Sequence, residues 1–260
     1  MSLVLIELQE RIGTITFNNY QKRNALSRAL LHELIAAIDE LIRREARVII
    51  IRAAKGSKVW SAGFDIRELP VPGRDPLSYR DALEQATRAI QHCPAPVLAM
   101  IEGSVWGGAC ELAAACDLLI GTRSASWAIT TARVATPYNA TGILQFINMA
   151  GLALVKEMLF TAQPISASRA LKMGILNHLV PAAALESFTF NLAWQITANS
   201  PLSLAIIKEQ LRLLKEAWHP VSPEIRERIQ ELRRQVYESQ DYLEGQKAFR
   251  EKRQPVFPGE

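Results

Sequence analysis

The chain has 260 residues, 49% of them hydrophobic and 22% charged, with a formal net charge of +4. That length buries a sizeable core without staples, and the mild, interspersed charge lacks the basic face or stripe of a nucleic-acid binder, so no nucleic-acid partner is expected. Three cysteines, Cys93, Cys110 and Cys116, are odd in number and lack framework spacing, which points to a reducing compartment, the cytoplasm. The segment Met1–Glu7 has no basic region followed by an apolar core, and no apolar stretch reaches the ~18 residues of a span, so neither a signal peptide nor a membrane partner is expected.

In chain order, Leu3–Leu8 and Ile12–Phe17 read as a β-hairpin around Gly13, and Asn18–Ala25 as a polar loop. Ser27–Arg43 is an amphipathic helix: Leu30, Leu31, Leu34, Ile35, Ile38, Leu41 and Ile42 follow the helical period, and Ser27 can cap it. Val48–Ile51 is a continuous β-branched run, hence a strand buried on both faces. A turn at Ser61–Ile66 and a proline-rich loop at Pro70–Pro76 precede a helix over Leu77–His92, which Pro94 and Pro96 stop. Val97–Ile101 and Leu118–Ile120 read as strands on either side of a helix that Gly107 opens and that runs to about Cys116. From about Leu152 the pattern is mainly helical: Ser166–Met173 ended by Gly174, then Leu185–Asn199, Leu202–Trp218, Pro223–Glu238 and Gln240–Arg253. The expectation is an α/β core over residues 1–195 and a helical region over 196–260.

Several chemistries have no motif here. There is no G-x-G-x-x-G after a strand, no P-loop, no H-E-x-x-H and no paired C-x-x-C, so no metal site is expected. His32, His92, His178 and His219 show no ligand spacing and are not expected to be catalytic. Gly103–Gly107 misses the G-x-S-x-G nucleophile elbow at its central residue. What stands out is two glycine turns, Ser61-Ala62-Gly63-Phe64-Asp65-Ile66 and Gly103-Ser104-Val105-Trp106-Gly107-Gly108, the second running into Ala109-Cys110-Glu111-Leu112. Two such turns facing each other can offer two free backbone N–H groups to one oxygen, the geometry of an oxyanion hole.

These two motifs resemble the crotonase (enoyl-CoA hydratase/isomerase) superfamily. Arg23-Asn24-Ala25-Leu26, Ala170–Asn177 and Glu244–Arg253 agree with it in the same order along essentially the whole chain. The resemblance implies a ββα spiral core with a helical C-terminal trimerisation region, assembling as a homotrimer or dimer of trimers. It implies an acyl-CoA thioester as substrate, with coenzyme A part of that substrate and no separate cofactor. Carried onto this chain, the oxyanion donors are the N–H groups of Phe64 and Gly108. Ala62, Gly63, Asp65 and Ile66 line the thioester and pantetheine path. Lys22 or Arg23 meets phosphates, and Phe249 and Lys252 reach the adenine and ribose-phosphate end.

Hydratases of the superfamily resemble one another in having two glutamates. Glu111 matches the first, whereas Thr131 stands at the second, and a hydroxyl is a poor general base near pH 7. Glu111 is then a paired or structural acid, against a cation such as Arg88. The segment Thr136-Pro137-Tyr138-Asn139, together with Pro70–Tyr79 and Val105–Gly108, resembles a decarboxylating branch that converts methylmalonyl-CoA to propionyl-CoA. That likeness gives Tyr138 the task of orienting the substrate carboxylate, and Thr130 a further hydrogen bond. Trp127 and Ile129 would exclude water. Two rival readings stand beside it: an enoyl-CoA hydratase/isomerase using Glu111 alone, and a non-catalytic binding protein of the same fold.

Overall fold

Apolar runs, unbroken in the central strands, decide the long strands. In a computed structural model, which describes residues 2–69, 81–218 and 221–259, β1 (Val4–Gln9) and β2 (Ile12–Phe17) form the expected antiparallel hairpin. Helix α1 (Arg28–Arg43) follows, capped by Ser27, whose hydroxyl accepts from the Leu30 N–H. The chain then repeats one unit. A long strand, β3 (Val48–Ala53), a short one, β4 (Val59–Ser61), and a helix, α2 (Ala82–His92), come first. Next are β5 (Val97–Ile101), β6 (Ser104–Trp106) and α3 (Gly108–Ala114), and then β7 (Leu118–Thr122), β8 (Ser126–Ala128) and a single 3-10 turn over Thr131–Val134. This is the ββα repetition that the family resemblance implies. Helices α4 (Ala140–Ala150) and α5 (Leu152–Thr161) lead into β9 (Ile165–Ser166), α6 (Ala167–Lys172) and β10 (His178–Val180). The rest is helical: α7 (Leu185–Thr197), α8 (Pro201–Trp218), α9 (Pro223–Glu238) and α10 (Gln240–Glu251).

The strands form two sheets. One has the order β1-β2-β3-β5-β7-β10, with five or six residues in each strand except the three-residue β10, and the other, of short strands, has the order β4-β6-β8-β9. Only the β1–β2 and β8–β9 pairs among the described residues are antiparallel. Strand β3 shows why the parallel sheet needs an unbroken apolar run. Its Ile49 and Ile51 face the main core with α1, while Val48 and Ile50 face a second cluster with Leu185 and Ala193 of α7.

The expected long elements are present, with ends moved by one to several residues. Three-residue strands hold no readable period, so the second sheet is absent from the sequence reading: Ser104–Trp106, taken there as a turn, is strand β6. Helix α4 and strand β10 are also additions. Ser166 caps α6 rather than belonging to it. Helix α2 begins at Ala82, capped by Asp81, whose carboxylate accepts from Leu83 N–H (2.9 Å). The expected Pro70–Pro76 loop, the Leu77–Arg80 start of that helix and His219 lie outside the described residues.

Helix α8 leaves Leu202, Ile206, Leu211 and Leu214 exposed. No helix among the described residues is long and apolar enough to cross a membrane. Helix α10 seats against the Thr131–Val134 turn through Gly245: a Cβ there would lie 2.5 Å from the Val134 carbonyl oxygen. Gly245→Ala should therefore force the helix off this turn and destabilise the fold by about 1–3 kcal/mol. Urea unfolding measures it, and an unchanged midpoint would mean that α10 is not seated there.

Candidate active site

The first glycine turn is held by the segment before α1. Asn24 is buried; its Nδ2 donates to the Trp60 carbonyl (3.0 Å) and its own carbonyl accepts from Ser61 Oγ (2.7 Å). Ala62 N–H donates to Arg23 O (2.9 Å). Leu26 N–H donates to Gly63 O (2.8 Å) and Asp65 N–H to Leu26 O (3.1 Å). These two bonds use the peptide groups on either side of Phe64. In a parallel bridge the intervening residue turns its own N–H the other way, which aims the Phe64 N–H at α3.

Gly63 makes this approach possible. Its φ is +84°, and a Cβ would lie 2.4 Å from the Trp106 carbonyl oxygen. Gly107 N–H is taken by the Ala128 carbonyl (2.8 Å). Gly108 is the first residue of α3, so its N–H has no acceptor within the helix. The two donors are close neighbours: a Cβ built on Gly108 would sit 3.5 Å from Phe64 N, and one built on Gly63 3.2 Å from Gly108 N. Two preorganised N–H groups aimed at one place stabilise charge developing on a carbonyl oxygen.

Phe64 and Gly108 line one cavity of about 90 Å3 with Glu111, Thr131, Tyr138 and Arg233. The Tyr138 hydroxyl donates to the Gly107 carbonyl at 3.4 Å, a long bond, and burial pushes its phenol well above the ordinary range. Glu111 is buried. Its Oε1 accepts from Asn139 Nδ2 (3.0 Å) and lies 3.4 Å from Thr141 Oγ1, while Oε2 is enclosed without a hydrogen-bond partner. Asn139 Nδ2 also donates to Glu84 Oε2 (2.8 Å), so one amide bridges two carboxyl groups. Burial, and then the nearby Glu84, push Glu111 up to about 8. At neutral pH it is mostly protonated, so only a minor fraction is in the form that accepts a proton.

The structure thus brings together Phe64, Gly108, Glu111, Thr131 and Tyr138. It does not bring the other expected residues to this cavity. Thr130 adjoins Thr131 but is not in the wall. Asp65 caps the 3-10 turn Ile66–Glu68 and is paired to Arg67 (2.5 Å), whose guanidinium holds its carboxyl below the ordinary range. Ala62, Gly63 and Ile66 belong to the supporting turn outside the cavity wall. Arg23 is a left-handed residue ending the 3-10 turn Tyr20–Lys22. Phe249 and Lys252 are exposed at the end of α10.

Two expectations need correction. Trp127 and Ile129 do not face the cavity: both are fully enclosed in the main core, where Trp127 pairs with Val105 across β8 and β6. Arg88 is not the partner of Glu111; it lies 3.5 Å from Glu84, one helical turn away on α2. Sequence reasoning gave no role to Asn139 or Thr141, although both precede or open α4 beside Tyr138. It also missed Arg233, which stands 95 residues from Tyr138 and has no local pattern to mark it.

Comparison with known proteins places this geometry. The family model described as "Enoyl-CoA hydratase/isomerase" matches residues 7–260. The methylmalonyl-CoA decarboxylase of Escherichia coli (strain K12) is 50% identical over 249 residues, covering 96% of this chain and 95% of that protein. A crystal structure of methylmalonyl-CoA decarboxylase complexed with 2S-carboxypropyl-CoA superposes with a TM-score of 0.97 at 48% identity, covering 100% of this chain and 99% of the other. A second, in complex with 2-nitronate-propionyl-CoA, gives a TM-score of 0.95 at 49% identity over 99% of each chain. With its ββα repetition, its two sheets and its converging Phe64 and Gly108 amides, the chain belongs to the enoyl-CoA hydratase/isomerase (crotonase) family.

Proposed function

We propose that this protein decarboxylates a 2-carboxyacyl-CoA thioester, with methylmalonyl-CoA giving propionyl-CoA. The observation that carries this reading is the convergence of Phe64 N–H and Gly108 N–H on a cavity whose wall holds Thr131 in place of a second carboxylate. Half-identity to a methylmalonyl-CoA decarboxylase over nearly the full chain supports it, as do the carboxypropyl and nitronate-propionyl ligands of the similar crystal structures. A cavity of about 90 Å3 suits a short acyl group.

In this reading the thioester oxygen sits between the two amides. The Tyr138 hydroxyl leaves its long bond to Gly107 O for the substrate carboxylate, a charged and therefore stronger acceptor. It holds the breaking C–C bond perpendicular to the thioester plane. The bonding electron pair enters the carbonyl π system, carbon dioxide leaves, and the enolate oxygen takes the charge between the two N–H groups, each worth ~3 kcal/mol. Water then protonates C2. The thioester carbonyl is the electron sink, so the reaction calls for no metal, biotin or redox cofactor. Lys252, Phe249 and Lys22 or Arg23 remain the candidates for the nucleotide end of coenzyme A, from the same or a neighbouring subunit.

The exposed apolar row of α8 supports a homotrimer or dimer of trimers. Light scattering at micromolar protein should return three or six chains, and a monomer would refute it. Three free, buried cysteines support a cytoplasmic location.

A second reading, hydration or isomerisation by Glu111, draws on the enclosed Oε2 facing Tyr138. Against it stands Thr131 in the cavity wall, where a second carboxylate would be needed to share the acid and base roles. Turnover of methylmalonyl-CoA, malonyl-CoA and crotonyl-CoA separates the readings. Carbon dioxide release that falls about 100-fold in Tyr138→Phe is expected; hydration of crotonyl-CoA with the carboxylated substrates untouched would reverse the assignment, and binding without any turnover would favour a non-catalytic role. Glu111→Gln should keep decarboxylation within about tenfold at pH 7, whereas a loss of about a thousandfold would make Glu111 the acid/base. The raised value also sets a pH dependence. Wild-type activity should fall as Glu111 ionises near pH 8, because a carboxylate there opposes the forming enolate, and Glu111→Gln should lack this fall. The folded state binds the extra proton, so wild-type stability relative to Glu111→Gln should decrease between about pH 5 and 8.

A further inference from the structure

Arg233 of α9 is 6% exposed and lines the same cavity as Phe64, Gly108 and Tyr138. A guanidinium stays charged at any pH the protein experiences. No carboxylate among the described residues lies within ion-pair distance of it, and its Nε is enclosed without a partner. Burying an unpaired charge is unfavourable unless hydrogen bonds use it. Two do. Nη1 donates to the Tyr138 carbonyl, and Nη2 donates to the Tyr237 hydroxyl at 3.5 Å, with the guanidinium 6.0 Å from the Tyr237 ring centre.

The Tyr138 carbonyl is a well-chosen place to hold. Tyr138 lies between the Thr131–Val134 turn and α4, a stretch without regular secondary structure. Its hydroxyl reaches the carbonyl of Gly107, and that carbonyl belongs to the same peptide unit as the Gly108 N–H. Asn139, the next residue, bridges Glu84 and Glu111. One guanidinium therefore fixes the backbone from which the hydroxyl, the amide bridge and one oxyanion donor are all reached.

We propose that Arg233 is a positioning residue for decarboxylation: by holding the Tyr138 carbonyl it sets where the Tyr138 hydroxyl meets the substrate carboxylate. The fork geometry matters, because lysine is a point donor and does not serve Tyr138 O and Tyr237 OH together. The inference rests on the decarboxylase reading above.

The test is carbon dioxide release from methylmalonyl-CoA by wild type, Arg233→Lys, Arg233→Met, Tyr138→Phe and the Tyr138→Phe/Arg233→Met double variant, each with a urea midpoint. Arg233→Met should lower kcat about 10- to 100-fold with KM within about threefold, and Arg233→Lys should recover only part of the loss. In the Tyr138→Phe background the same change should cost less than about twofold, because the hydroxyl being positioned is gone. Wild-type kcat in Arg233→Met, an equal loss in both backgrounds, or wild-type turnover by Tyr138→Phe would each overturn the proposal. If Arg233→Met does not fold, Arg233→Lys in the two backgrounds gives the same comparison. A wild type that releases no carbon dioxide overturns the decarboxylase reading and this inference together, and is told apart by that control alone.

Discussion

The crossing of Gly63 over the Trp106 carbonyl is the contact on which the site depends. A side chain at residue 63 would collide with that carbonyl at 2.4 Å, and the turn has a left-handed backbone there. Because the crossing is that close, the Phe64 and Gly108 amides come within reach of a single oxygen. The short sheet exists to hold it: β4 leads into the Gly63 turn and β6 into Gly107, and the two strands are direct neighbours. The donors are fixed by backbone bonds before any ligand arrives, so their reorganisation adds nothing to the barrier of a reaction that creates charge.

The electrostatics around this pair follow from burial. Glu111 sits where an ionised carboxylate would repel both Glu84 and any enolate between the amides. Burial and Glu84 resolve the conflict by keeping it protonated, up to about 8. Asn139 then satisfies one oxygen of each carboxyl group. A residue that matches a hydratase glutamate by position is, in this setting, a neutral side chain beside Thr131. Residue type and chain position are therefore weaker guides to its role than its surroundings.

The C-terminal helices are part of the site's construction. Gly245 lets α10 touch the Val134 carbonyl, and Arg233 of α9 takes the Tyr138 carbonyl. The stretch between β8 and α4, which carries Thr131 and Tyr138, is thus clamped from the helical region as well as from the core. Irregular backbone of this kind has few bonds of its own, so external hydrogen bonds decide its conformation.

Sequence by itself determined the long elements and marked the two glycine turns, while Phe64 and Gly108 as a donor pair came from the family resemblance. A continuous Val48–Ile51 run has only one way to be buried on both faces, and α1 shows its apolar period plainly. Gly63 and Gly107 mark the two turns, because their left-handed backbones, at φ +84° and +51°, favour glycine. Local pattern ends where elements become too short or contacts too distant. Three-residue strands such as β6 carry no period, so the second sheet came only with the fold. The enclosure of Trp127, the Glu84–Asn139–Glu111 bridge and the Arg233–Tyr138 bond join residues tens of positions apart, and no spacing along the chain encodes them. Whether a carboxyl is ionised, or an aromatic side chain faces a cavity or the core, depends on what the other elements pack around it, and that is settled by tertiary structure alone.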